Sequence, residues 1–172
     1  MQWSIRGAAM EDAAQLLELY AYYVENTCVS FETEVPSLAA FASRVKESLE
    51  NYAWLVCEAQ GQIVGYAYAS AFRARGAYRY TASPSVYIKE GFHRLGIGRA
   101  LYEALFGILQ ERGFYTLVAG VALPNPGSVG LHRAMGFQEV GVYHNVGWKA
   151  GAWRDVMHLE LPLRAYDTPQ GE

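Results

Sequence analysis

Gly96 and Gly98 stand one residue apart, between Arg94 and Arg99, where one apolar pattern gives way to another. Ser85-Val86-Tyr87-Ile88 before them reads as a strand, and Leu101, Leu105, Ile108 and Leu109 after them recur at helical spacing. A strand-to-helix junction leaves unpaired backbone N–H groups at the positive end of a helix dipole, which together suit an anion. A nucleotide, a dinucleotide or coenzyme A would supply one; a tight turn without ligand would use the same glycines. Spacing tests the rival motifs. The dinucleotide fingerprint needs a further glycine where Leu101 stands, and an acidic residue about twenty positions on, where the chain reads Val118-Ala119-Gly120-Val121-Ala122. Gly91 and Gly96 have the gap of a P-loop, but Ile97-Gly98 follows instead of Lys-Ser. A nucleophile elbow at Ser128 would need glycine at 126, which is Pro126.

Arg73, Arg75 and Arg79 are a second cluster. On an extended chain all three share one face, where they could grip a carboxylate or phosphinate, or keep an edge strand from aggregating. Trp3, Trp54 and Tyr22 read as core.

These residues need a frame. The chain has 172 residues, enough for one domain with a proper core, expected over 1–165 with a short polar tail at 166–172. A net charge of −3 gives no footprint for nucleic acid. No apolar run reaches membrane length, and Glu11 and Asp12 precede the first one, so no signal peptide is expected. Cys28 and Cys57 are too few for a disulfide framework or a zinc site, which suits a reducing cytoplasm. The periodicities predict strands at 2–7, 53–59, 62–71, 80–88, 115–121, 138–147 and 153–161. Helices are predicted at 10–26, 37–50, 98–112 and 127–135. The fold class is α/β: a mixed sheet with helices on both faces and one parallel crossover over 85–121. Pro84, which cannot donate to a ladder, predicts a bulge or a parted strand pair.

His93-Arg94-Leu95-Gly96-Ile97-Gly98 resembles the pyrophosphate loop of the GNAT N-acetyltransferases, Arg/Gln-x-x-Gly-x-Gly/Ala, with His93 at the first position. Asn125, Ser128 and Leu131-His132-Arg133-Ala134-Met135-Gly136-Phe137 resemble that family's second coenzyme segment. Ser30-Phe31-Glu32-Thr33-Glu34, the stretch 72–81, Ala119–Asn125 and the stretch 146–156 resemble the phosphinothricin N-acetyltransferase-like branch, so the likeness covers about 3–161.

The resemblance implies a sheet whose fourth and fifth strands splay around acetyl-CoA, with no metal. Val86, Tyr87 and Ile88 would meet the pantetheine arm and the oxyanion. Arg94, Leu95, Gly96, Ile97, Gly98 and Arg99 would hold the pyrophosphate, and Asn125, Ser128 and His132 the coenzyme arm. His132 would protonate the leaving thiolate. Phe31, Arg73, Arg75, Tyr80 and Lys149 would bind the acceptor. The branch typically carries a glutamate base in Thr-x-Glu-x-Ser-Val-Tyr, but this chain reads Thr81-Ala82-Ser83-Pro84-Ser85-Val86-Tyr87. Either Glu32 or Glu34 would then act from another loop, or a water chain would relay the proton, or the favoured substrate differs from phosphinothricin. Glu32, raised in pKa by aromatic surroundings, is the nearest candidate base, with binding of the acceptor ammonium as its alternative role. The implied protein is a homodimer that acetylates the α-amine of a small amino-acid-like molecule such as phosphinothricin, methionine sulfoximine or methionine sulfone. A polyamine, an aminoglycoside or a protein N-terminus is the rival acceptor; a coenzyme-binding module without turnover is the rival to an enzyme.

Overall fold

Apolar residues at helical spacing place the helices in a computed structural model that describes residues 2–170. Leu16, Leu19, Tyr20, Tyr23 and Val24 are the buried stripe of α1 (Ala13–Asn26). Phe41 and Val45 serve α2 (Leu38–Asn51), which Ser37 caps by accepting the Ala40 N–H at 3.2 Å. The remaining helices are α3 (Ile97–Glu111) and α4 (Pro126–Ala134). The strands are β1 (Trp3–Gly7), β2 (Trp54–Ala59), β3 (Gln62–Ala71), β4 (Thr81–Ile88), β5 (Thr116–Ala122), β6 (Gln138–Lys149) and β7 (Ala152–Pro162).

The strands form one sheet in the order β1-β2-β3-β4-β5-β7-β6, parallel only between β4 and β5. Period-two alternation gives each face its core. Trp54, Val56 and Tyr66 pack under α1 and α2; Leu55, Cys57 and Ala67 pack under α3. Trp3 packs against the α3 core, whereas Tyr22, expected in the core, is 39% exposed.

β4 and β5 pair only at Thr81↔Thr116 and Ala82↔Leu117, then separate. The β3–β4 register runs unbroken through Ala69↔Pro84, so Pro84 parts a strand pair and makes no bulge. The Lys89 N–H bonds the Val64 carbonyl at 2.8 Å. Alternation then turns the backbone groups of Ser83, Ser85 and Tyr87 toward β3, and those of Pro84, Val86 and Ile88 toward β5. Proline has no N–H to offer β5 at the residue where the ladder opens. The Ser83 hydroxyl donates instead to the Val118 carbonyl, 2.9 Å away.

One expectation needs correction. The Arg73–Arg79 segment is not extended: a bend leads into a short 3₁₀ turn, Gly76–Tyr78. The Arg73 guanidinium lies over the Phe72 and Tyr78 rings, 5.0 and 5.5 Å from their centroids, and Arg79 donates to the Gly76 carbonyl at 3.0 Å. These contacts curl the loop, so the three arginines do not form one extended face. The supposed tail also docks in part, with Tyr166 stacked on Tyr115 and the Tyr115 hydroxyl donating to Asp167. Residues 171–172 of that tail lie outside the described residues.

Candidate active site

The glycine loop forms the anticipated junction. Gly96 caps α3 in the left-handed region (φ 81°), a conformation that favours glycine. The first intrahelical bond runs from the Ala100 N–H to the Gly96 carbonyl at 3.0 Å. The N–H groups of Ile97, Gly98 and Arg99 therefore have no helical partner. A Cβ on Gly98 would lie in ordinary contact, 3.4 Å from Leu131 and within 4.0 Å of Val86 and Ile88, so a single carbon fits there and only a larger side chain would press on β4 and α4. Leu95 is exposed, and Arg99 is paired with Glu103 at 2.8 Å. His93, the residue that departs from the family pattern, approaches the Ile88 carbonyl at 3.0 Å, and the Tyr23 hydroxyl donates to the same oxygen. Both lone pairs of that carbonyl are thus used. Val86 keeps its N–H and C=O for the gap, and Ile88 only its N–H. The Tyr87 N–H points toward Tyr66 of β3, which removes it from the oxyanion role expected for it.

Between the parted strands lies a cleft lined by Ser85, Val86, Tyr87, Tyr102, Asn125, Ser128 and His132. Asn125 caps α4, its side chain accepting the Ser128 N–H at 3.1 Å. His132 is 3% exposed. Its Nδ1 lies 2.7 Å from the Ser128 carbonyl, an acceptor only, so the proton sits on Nδ1. Nε2 accepts from the Tyr102 hydroxyl at 3.1 Å. Burial holds the imidazole below its ordinary pKa and pushes the Tyr102 phenol up. Both groups stay neutral, and the one N–H of His132 is already given away. The expected proton donor is instead part of a neutral hydrogen-bonded floor, and its partner Tyr102 was hidden in a run of core residues.

The cleft continues into a cavity of about 530 Å³, with Val29, Tyr87, Gly120 and Ala122 lining both. Phe31 and Glu32 line it, joined by Tyr20 and by Arg44 of α2. Arg44 donates to Glu32 through both terminal nitrogens, at 2.8 and 2.6 Å, and the Tyr20 hydroxyl donates to the same carboxylate. The Arg44 hydrogen bonds hold the Glu32 pKa below its ordinary value, against a smaller opposing effect of burial. The expected raised pKa is overturned: Glu32 is an ionised anion beside a guanidinium, unsuited to act as base. Arg44 escaped the sequence reading. Its one signal was a cation at helical spacing from Phe41, beside the stripe that buries Val45 and Ser48.

Lys149, Arg73, Arg75 and Tyr80 do not line the cavity. Tyr80 packs edge-on against Tyr115, 5.9 Å between centroids. Lys149 is 8% exposed, and its ammonium donates to the carbonyls of Ser30 and, at 2.7 Å, Glu32. Desolvation lowers its pKa. It therefore holds the loop carrying Ser30 and Glu32 and is not part of the cavity lining. Phe31 packs where a Cβ on Gly147 would stand, so β6 supports the same loop twice. Lys149→Met should leave two carbonyls short of donors, cost about 1–2 kcal/mol in unfolding experiments and raise the acceptor KM severalfold. An unchanged KM would show that the loop holds without the ammonium.

A family model described as an acetyltransferase (GNAT) domain matches residues 5–158. The chain belongs to the GNAT acetyltransferase family. It is 36% identical over 162 residues to a phosphinothricin N-acetyltransferase of Streptomyces viridochromogenes, covering 92% of this chain and 88% of that protein. It is 33% identical to an L-methionine sulfoximine/L-methionine sulfone acetyltransferase of Pseudomonas aeruginosa, covering 95% and 96%. Among solved structures, a GNAT phosphinothricin acetyltransferase from Sinorhizobium meliloti in complex with acetyl-CoA superposes with a TM-score of 0.92 at 33% identity, covering 99% and 97%. An acetyltransferase from Salmonella typhimurium, also with acetyl-CoA, gives 0.94 at 28% identity, covering 99% of each chain.

The GNAT acetyltransferase site of this chain fits such a coenzyme on its own features. Val86 offers ladder groups to an open gap, and three N–H groups at the start of α3 have no helical partner and suit an anion.

Proposed function

We propose that this acetyltransferase carries the acetyl group of acetyl-CoA to the primary α-amine of a small amino-acid-like acceptor by direct attack. The observation that carries this reading is the continuity of the open strand gap with the cavity holding Glu32 and Arg44. Loop 94–99 would hold the pyrophosphate through main-chain N–H groups, and Asn125 and Ser128 would border the coenzyme arm. The N–H groups of Val86 and Ile88, aimed into the gap, would stabilise the oxyanion. Ionised Glu32 would receive the acceptor's ammonium, and the amine would lose one proton to water before attack. On collapse of the tetrahedral intermediate the C–S bond breaks, and the expelled CoA thiolate takes, through water, the second proton that the nitrogen gives up. Two further features belong to the proposal. The exposed Trp148 and Trp153 of the β6–β7 hairpin support a homodimer, and the free Cys28 and Cys57 support a reducing, cytoplasmic setting. No helix among the described residues is long and apolar enough to cross a membrane.

Thiol release from acetyl-CoA across a panel of amines tests the reading. Turnover should be found with methionine sulfone, methionine sulfoximine or phosphinothricin and be at least about tenfold weaker with spermidine or an aminoglycoside, whose multiple cations meet a single anion. Preference for the polycations would overturn the acceptor class. Coenzyme binding without turnover on any amine would overturn the enzyme.

A further inference from the structure

The charge inventory of the acceptor cavity narrows the acceptor further, on the assumption that the reading above holds. Among the described residues, Glu32 and Arg44 are the two charged side chains that line it. They sit together, one anion and one cation, with side chains 32% and 47% exposed. The pairing does not exhaust either group. Arg44 spends one N–H from each terminal nitrogen on Glu32, and a guanidinium carries five. Each carboxylate oxygen of Glu32 accepts from Arg44, one also from Tyr20, and lone pairs remain on the other.

The rest of the wall is uncharged. Val29, Phe31, Ala122 and Val156 offer apolar surface, and Gly120 leaves room beside the gap. Arg73 is stacked on Phe72 and Tyr78, and neither it nor Arg75 enters the lining.

We infer that this cavity selects a net-neutral zwitterionic amino acid, its carboxylate on Arg44 and its ammonium on Glu32, over an acceptor carrying a second anion. One α-carboxylate and one α-ammonium complete a four-charge arrangement that sums to zero. Methionine sulfone fits that description. Phosphinothricin brings a phosphinate as well, and a desolvated anion without a cation is penalised. Its side chain would have to enter the apolar part of the wall.

The wild-type enzyme gives the first test, with no variant needed. The ratio of kcat/KM for L-methionine sulfone to that for L-phosphinothricin should be at least about ten. Glu32→Gln then leaves the cavity with a surplus positive charge. Both acceptors lose the same ammonium contact, so the ratio isolates the extra anion and should move about tenfold toward phosphinothricin. Acetyl-CoA affinity by calorimetry, expected to be unchanged, confirms that the variant is folded. A wild-type preference for phosphinothricin would overturn the inference while leaving the amino-acid acetyltransferase intact. An unmoved ratio in Glu32→Gln would also overturn it, making the Glu32–Arg44 pair a latch between loop and helix. Turnover of neither amino acid would remove the functional reading, and this inference with it.

Discussion

Between pH 6 and pH 8, kcat/KM for an amino-acid acceptor should rise about a hundredfold, close to tenfold per unit. The attacking amine must be neutral, and below its own pKa the neutral fraction grows tenfold for each pH unit. A side-chain base would flatten that climb above its own pKa. None of the candidates supplies one in this range. Glu32 is ionised throughout, held low chiefly by the Arg44 hydrogen bonds. His132 is kept neutral by burial, with Nε2 occupied by Tyr102 and Nδ1–H by Ser128. At the position where the branch carries its glutamate, Ser83 gives its hydroxyl to the Val118 carbonyl. The sign is therefore upward with pH, and the plateau should belong to the acceptor: exchanging one amino acid for another of different amine pKa should move it. A plateau already reached near pH 6 to 7, and indifferent to the acceptor, would reveal a protein base.

Gly98→Val should weaken acetyl-CoA binding on the order of a hundredfold, about 2.7 kcal/mol. Two effects add. A Cβ at this position meets Leu131 at 3.4 Å and approaches Val86 and Ile88, so the two branches of valine would push α3 away from β4 and α4. Overpacking of this kind costs about 1–3 kcal/mol. The displaced turn also carries the N–H groups of Ile97, Gly98 and Arg99, which would shift with it. Gly98→Ala, a single carbon in ordinary contact, should do far less. Calorimetric titration of the folded variants decides it, and equal affinity for valine and glycine would place the pyrophosphate elsewhere.

The parts of this molecule legible in the sequence are those set by local chemistry. The strand, glycine and helix pattern around Gly96 placed the strand-to-helix junction, because backbone geometry follows from which residues lack a Cβ. Pro84 forecast the parted ladder for a similarly local reason: a missing N–H. The acceptor side was legible only as a neighbourhood. Phe31 and Glu32 were found, but the state of Glu32 is decided by Arg44, twelve residues away on another element. Lys149 was read as a ligand for the acceptor, since nothing in its surroundings announces two carbonyls from the other end of the chain. The arginines of 73–79 were misplaced by assuming an extended backbone, where aromatic stacking curls it. His132 matched the family segment, yet its protonation follows from Tyr102, an unremarkable helical position until α3 and α4 meet.

The bond from Lys149 to the carbonyl of Glu32 spans 117 positions. During synthesis neither the strand gap nor the loop carrying Glu32 can be fixed when α4 emerges, because β5 pairs with β4 at two positions only and with β7 along its whole length. Closing so long a loop is entropically costly and comes late. A nascent or truncated chain ending before β6 would thus lack the partner strand of β5 as well as the anchor of the loop carrying Ser30 and Glu32. The final hairpin therefore closes both sides of the site together, the sheet through β7 and the loop through Lys149.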